Sequence, residues 1–99
     1  MMFSYKLFET GDDKLLAVCD ANILGKTFTE GDLTLHVSKD FYGEKKSDAA
    51  AVLKIAKKST IINAVGNDIV QLLIDKKIVN EESVIQIGKV RHAQVVSIA

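Results

Sequence analysis

The sequence contains no proline and no tryptophan, and it has one cysteine and one arginine. Without proline, no helix or strand of the chain meets the residue that most often interrupts regular structure. The single cysteine, Cys19, excludes an internal disulfide, so a reducing cytoplasm is the expected setting. The solitary Arg91 among twelve lysines either has a geometric role that needs a planar guanidinium or is incidental.

The chain also lacks a long apolar run and a net charge. No segment approaches the roughly 18 apolar residues that a membrane-spanning helix needs, and Met1 to Lys6 show no export signal. The charges of thirteen basic and thirteen acidic residues cancel, which argues against strong non-specific binding to nucleic acid. With 47% hydrophobic residues over 99 positions, the composition predicts one folded domain spanning residues 1–99.

The first third of the chain predicts a β-hairpin. Phe3, Tyr5 and Leu7 alternate with polar residues, as in a half-buried strand. Residues 10–13 have turn chemistry, and the apolar segment 15–19 predicts a central strand. Asp20 to Gly25 predicts one helical turn that Asp20 caps and Gly25 ends.

The tripeptide Gly25-Lys26-Thr27 resembles the end of a phosphate-binding P-loop. That motif needs a second glycine five residues earlier, where this chain has Asp20. A P-loop lysine also opens a long helix, and no amphipathic helix is predicted before Ser47. The segment is therefore interpreted as a helix stop followed by an exposed loop.

The remaining pattern predicts one more strand, two helices and a hairpin. Leu33 to Val37 alternates as a third strand, with a turn at 41–43. A first helix runs from Ser47 or Asp48 to about Lys58, and a second from Ser59 or Thr60 to about Lys77. In the second helix, Gly66 suggests the close approach of another backbone, and Asn63, Asn67 and Gln71 form a polar stripe, solvated or docking another protein. Residues 84–87 and 90–98 form a hairpin around Gly88-Lys89.

Strands cluster at both ends of the chain with helices between them. This order predicts an α+β fold: a mixed, mostly antiparallel sheet of about five strands (β-β-β-α-α-β-β) with two helices packed on one face.

Two segments carry candidate binding chemistry. Residues 39–46 combine Phe41 and Tyr42 with three lysines, which suits stacking on unpaired bases beside phosphates; alternatively, the two rings plug the end of the core. In the second segment, His92 and Gln94 share a strand face while Arg91 points away, so they are either a satisfied polar network or part of a base- or phosphate-reading patch.

No catalytic or metal constellation is recognised. Cys19, Asp20, His36 and His92 lack the close paired spacing of zinc ligands. Cys19 lies in a strand that is apolar on both faces, so a buried, unreactive thiol is expected. The sequence therefore predicts no metal and no cofactor, and it favours a non-enzymatic role over an enzyme built on Cys19 or His92.

Four strings, VCDANILGKTF, LTLHVSKDFYG, NAVGNDIV and VRHAQVV, occur in this order over nearly the whole chain. Together they resemble a small archaeal family known as domain of unknown function 424. The resemblance implies one compact cytoplasmic domain without an assigned activity, loosely linked to RNA or translation. Family members tend to have glycine after the second helix, where this chain has Lys76-Lys77.

The leading hypothesis is an accessory module that binds RNA or a ribonucleoprotein, and the alternative is a protein-interaction or homodimerisation module. The RNA hypothesis requires the aromatic bend and Arg91 to share one outward-facing patch. Its predicted contact residues are Lys39, Phe41, Tyr42, Lys45, Lys46, Arg91 and His92.

Overall fold

The structure is a computed structural model that describes residues 1–43 and 45–96. Its described elements, in chain order, are β1 (Phe3–Thr10), β2 (Asp13–Asp20), β3 (Thr27–Glu30), β4 (Leu33–His36), α1 (Lys39–Tyr42), β5 (Lys45–Ser47), α2 (Ala49–Lys58), β6 (Ile61–Val65), α3 (Asn67–Asp75), β7 (Ile85–Ile87) and β8 (Val90–Val96). Short 3₁₀ turns occupy Ala21–Ile23 and Glu81–Ser83.

Six of these strands form one mixed sheet in the order β5-β1-β2-β6-β8-β7. Among the described strands of this sheet, only the central β2–β6 pair is parallel, and the other pairs are antiparallel. Strands β3 and β4 form a separate two-stranded sheet. The α+β prediction is confirmed, with six strands in the main sheet rather than about five.

The predicted β1–β2 and β7–β8 hairpins are both present. Thr10 faces Asp13 across the first turn, where Gly11 has φ +60°. Ile87 faces Val90 across the second, with Gly88 at φ +63°. Strand β8 is described to Val96, and the rest of the predicted strand, to residue 98, lies outside the described residues.

The predicted helix from Asp48 to Lys58 is confirmed as α2, and the Asp48 Oδ1 accepts a hydrogen bond from the amide of Ala51. The predicted second helix over residues 60–77 is wrong in its first third. Residues 61–65 form strand β6, and Gly66 connects this strand to α3. The helix spans only Asn67–Asp75. The predicted turn at 41–43 is the end of the one-turn helix α1, and the predicted third strand is β4 of the small hairpin.

A hydrophobic core packs against each face of the sheet. Leu16, Val18 and Ile62 point toward α2 and α3, so the two longer helices cover one face as predicted. Ala17 and Cys19 point to the other face, which α1 and the β3–β4 hairpin cover in part. The residues of this second core that lie on or next to the covering elements are Leu24, Phe28, Leu35, Val37, Phe41 and Tyr42.

Asp20 and Gly66 join the end of β2 to the start of α3. The Asp20 carboxylate accepts hydrogen bonds from the amides of Asp68 (3.0 Å) and Ile69 (2.9 Å). It therefore caps α3 instead of the 3₁₀ turn that follows it, where it makes no cap bond. Gly66 has φ +130°, and a Cβ there would lie 2.4 Å from the carboxyl carbon of Asp20. A close approach therefore occurs at Gly66, but its partner is the Asp20 carboxylate and not another backbone, which the sequence suggested.

Helix α3 ends in a Schellman motif, in which the residue with positive φ after the helix is usually glycine. The amide of Lys77 bonds to the carbonyl of Ile74 and that of Ile78 to Leu73, both at 2.9 Å. Lys77 itself has φ +61°, the one non-glycine residue with positive φ in the described chain. The left-handed conformation costs a residue with a Cβ about 1 kcal/mol.

Replacing Lys77 with glycine is therefore expected to raise the free energy of unfolding by about 1 kcal/mol. Urea denaturation monitored by circular dichroism measures the change. Lys76→Gly is the matched control, because it removes the same charge at a residue with φ −92° and should not stabilise. A Lys77→Gly protein no more stable than the wild type would contradict the expectation.

Candidate functional site

Three lysines surround a shallow cleft between α1 and the β5 edge of the sheet. Lys39, Lys45 and Lys46 are exposed, and with Ser4, Leu24 and Gly43 they line a cavity of about 270 Å³. The described lining contains no acidic side chain. We call this cavity the basic cleft.

Helix α1 forms one wall of the basic cleft and is held to strand β1. The Ser4 hydroxyl donates to the carbonyl of Tyr42 at 2.9 Å, and the Lys6 ammonium donates to the carbonyl of Asp40 at 3.2 Å. At the end of α1, a Cβ on Gly43 would lie 2.9 Å from the carbonyl oxygen of Lys39. A side chain at this position would therefore press on the wall of the cleft.

The two predicted aromatic residues have different environments. Tyr42 is only 4% exposed and belongs to the core, so it is not a platform for stacking a base. Phe41 is half-buried, stacks on Phe8 with 5.3 Å between ring centroids, and meets Tyr42 edge to face. The rings plug the second core, as the alternative interpretation proposed, and only Phe41 keeps partial exposure.

Tyr42 and His92 both contact Asn63, a residue that the sequence pattern predicts on a polar helix stripe. The Tyr42 hydroxyl donates to Asn63 Oδ1 at 2.5 Å, and His92 Nε2 lies 3.2 Å from the same oxygen. Because Oδ1 is an acceptor, His92 carries its proton on Nε2. Burial lowers the pKa of His92 and raises that of Tyr42 to about 12, so both are neutral near pH 7.

Asn63 was missed because residues 61–65 were assigned to a helix. The sequence feature that could have located it is the composition of residues 61–65: an amide inside an apolar run rich in β-branched residues, a composition that favours a strand. His92 and Gln94 do share a strand face, and His92 belongs to the hydrogen-bonded network that was one of its two interpretations.

Arg91 lies on the opposite face of the sheet. Its guanidinium donates to Gln71 Oε1 at 3.1 Å and to the carbonyl of Asn67 at 2.8 Å, both on α3. Successive residues of a strand point to opposite faces, so Arg91 faces α3 while His92 faces Asn63 and Tyr42. The predicted joint patch of aromatic bend and guanidinium is therefore wrong.

Cys19 lies inside the second core with no exposed surface. Burial, and then the neighbouring Asp20 carboxylate, raises the pKa of its thiol to about 12. Within residues 1–43 and 45–96, no three side chains of His, Cys, Asp or Glu come together as metal ligands. In the same ranges, no helix has the length and hydropathy to cross a bilayer.

Comparisons with known proteins agree with the resemblance seen in the sequence. A family described as "Protein of unknown function (DUF424)" matches residues 8–98, and the chain belongs to this family. A solved structure described as an uncharacterized conserved protein from Methanopyrus kandleri has a TM-score of 0.78 and 24% identity, with 100% of this chain and 96% of the other covered. This likeness shows the fold. Among curated proteins, none matches the sequence.

Proposed function

We propose that this DUF424 protein is a cytoplasmic, non-enzymatic module that binds single-stranded RNA, free or within a ribonucleoprotein, through the basic cleft. The supporting observation is that Lys39, Lys45 and Lys46 all line one cavity, whose described lining holds no carboxylate. These three lysines were candidate contacts in the sequence. Because Arg91 faces α3, the joint patch of aromatic bend and Arg91 that the sequence-based hypothesis required is given up, and the proposal depends on the lysines of the basic cleft alone.

The chemistry of the cleft suits phosphate groups. Lysine ammonium groups neutralise phosphates and release counterions, which makes binding strongly dependent on salt. Each phosphate neutralised on a single strand adds about 0.7 to the slope of log affinity against log salt, so three lysines give a slope of about 2. With zero net charge on the whole chain, binding is expected to be modest and strongest at low salt.

The double substitution Lys45→Glu with Lys46→Glu is expected to lower RNA affinity at low salt by about tenfold or more, because it replaces two phosphate contacts with repulsion. Fluorescence anisotropy of a labelled single-stranded oligonucleotide, titrated at several salt concentrations, measures both the affinity and the salt slope.

Lys57→Glu with Lys58→Glu is the matched control. It changes the net charge equally but lies in the last turn of α2, on the other face of the sheet. The control protein should bind nearly as the wild type does, once circular dichroism shows that α2 is retained. Equal losses in both double variants, or none in the first, would contradict the proposal.

A protein-interaction role has one observation in its favour. Strand β5 pairs with β1 only at residues 3–5, so among the described strands none pairs with Leu7–Thr10 on the side away from β2. Leu7 on this edge is 43% exposed, and an unpaired edge is a template for another strand. Light scattering distinguishes the roles: a stable dimer that Leu7→Lys converts to monomer would favour this second function.

A further inference from the structure

The sheet face opposite α2 and α3 carries two partly exposed rows of side chains that cross four strands. Strand register places Phe8, Leu15, Ile61 and Val96 side by side in an apolar row. The first three are half-buried, and Val96 is 60% exposed. The adjacent row, two residues away on each strand, contains Lys6, Ala17, Asn63 and Gln94, of which Ala17 is buried. We call the two rows together the open face.

The amide of Asn63 has a fixed orientation on this face. Its Oδ1 already accepts hydrogen bonds from Tyr42 and His92. Its Nδ2 has no partner among the described residues, and the side chain is only half-buried. Asn63 therefore offers a ligand hydrogen-bond donors without an acceptor. Gln94 is the exposed cross-strand neighbour of Asn63, and its side chain can reorient to form a second hydrogen bond with the same ligand.

The open face is continuous with the basic cleft. Ser4, which lines the cleft, and Lys6 and Phe8, which belong to the two rows, point to the same face of β1 because they alternate along it. Consecutive members of this series are about 7 Å apart. A strand of nucleic acid whose phosphates lie in the cleft thus has an apolar surface and a fixed amide next to it.

We infer that the open face binds a base of the same single-stranded RNA and prefers one with an exocyclic carbonyl oxygen, as in uracil, cytosine and guanine, over adenine. The base lies on the apolar row, and its carbonyl accepts from Asn63 Nδ2. At the position of this carbonyl adenine carries an amino group, which cannot accept the hydrogen bond. The acceptors of adenine are ring nitrogens, which project less from the base than an exocyclic oxygen and are reached less well by a donor aimed at that oxygen. The inference depends on the proposed RNA-binding function and adds a preference between bases to it.

Labelled nonamers of inosine and adenosine test the preference, because the two bases are purines of the same size. They differ at C6, where a carbonyl replaces the amino group, and in the proton that inosine carries on the neighbouring N1. In anisotropy titrations at low salt, the inosine nonamer is expected to bind about three- to tenfold more tightly, the contribution of one hydrogen bond. Asn63→Asp keeps the acceptor for Tyr42 and His92 but removes the donor, so it should abolish or reverse this ratio.

Asn80→Asp is the control of equal charge. Its side-chain oxygen accepts from the amide of Glu82, an interaction that aspartate preserves, so the inosine preference should remain. Gln94→Glu, at an exposed position where folding is not at risk, should reduce the preference even if Asn63→Asp fails to fold.

The outcomes separate the two proposals. If the wild-type protein binds neither nonamer, the RNA function itself is overturned, and this inference with it. If it binds both equally, or if folded Asn63→Asp or Gln94→Glu keeps the full preference, only the open-face inference is overturned.

Discussion

Replacing Gly66 with alanine is expected to lower the free energy of unfolding by about 3 kcal/mol or more. The backbone at this position has φ +130° and ψ +145°, a region that residues with a Cβ avoid at a cost of about 1–3 kcal/mol. The new Cβ would also lie 2.4–2.7 Å from the carboxyl atoms of Asp20. The carboxylate must then move away from the two α3 amides that it caps, which costs about 1 kcal/mol more.

Urea denaturation of three further variants separates these causes. Gly11→Ala is the backbone control, since its φ is +60° and nothing lies within 4 Å of an added Cβ; it should cost about 1 kcal/mol. Asp20→Ala removes the cap alone. In the Asp20→Ala background, Gly66→Ala should cost less than in the wild type, because the clash is gone. A Gly66→Ala protein as stable as Gly11→Ala would refute the steric explanation.

Cys19 is expected to react with a thiol reagent at least about a thousandfold more slowly in the native protein than in the unfolded chain. The attacking species is the thiolate, and burial raises the pKa of the Cys19 thiol from its ordinary value of 9.0 to about 12. That difference alone lowers the thiolate fraction about a thousandfold at any pH below 9. The side chain also has no exposed surface, so reaction requires an opening of the second core.

Absorbance at pH 8 with an aromatic disulfide reagent, in buffer and in denaturant, gives the two rates. A reference thiol comes from Cys19→Ala combined with Asn22→Cys, because Asn22 is exposed in the next turn of the chain. This reference should react at similar rates in both solvents. Rapid stoichiometric reaction of native Cys19 would instead restore the idea of a nucleophile at this position.

The sequence predicted the elements whose hydrophobic period was unambiguous. Strand β1 alternates because one of its faces packs on the helices, and α2 has a cap at Asp48 and a regular apolar stripe. Strand β6 was misassigned for a physical reason. It pairs with β2 on one side and β8 on the other and is largely buried on both faces, so it shows no alternation. Ile61, Ile62 and Val65 happen to continue the apolar spacing of α3.

The candidate site was predicted in part. The three lysines of residues 39–46 do line one cleft, because β5 and α1 are close along the chain as well as in space. Arg91 could not be placed, since which face of β8 meets α3 depends on the register between strands and not on local pattern. Asn63 was hidden by the helix assignment, and its contacts with Tyr42 and His92 span 21 and 29 residues.

The parallel pairing of β2 with β6 also determines when this molecule can fold. Its contacts join Leu15 to Ile61 and Cys19 to Val65, and β6 in turn needs β8, near the end of the described chain. Pairing between segments so distant is slow, because a long loop must close before any stabilising contact forms. During synthesis, the β1–β2 hairpin therefore emerges with an unpaired apolar strand, and the sheet is completed only after β8 has left the ribosome.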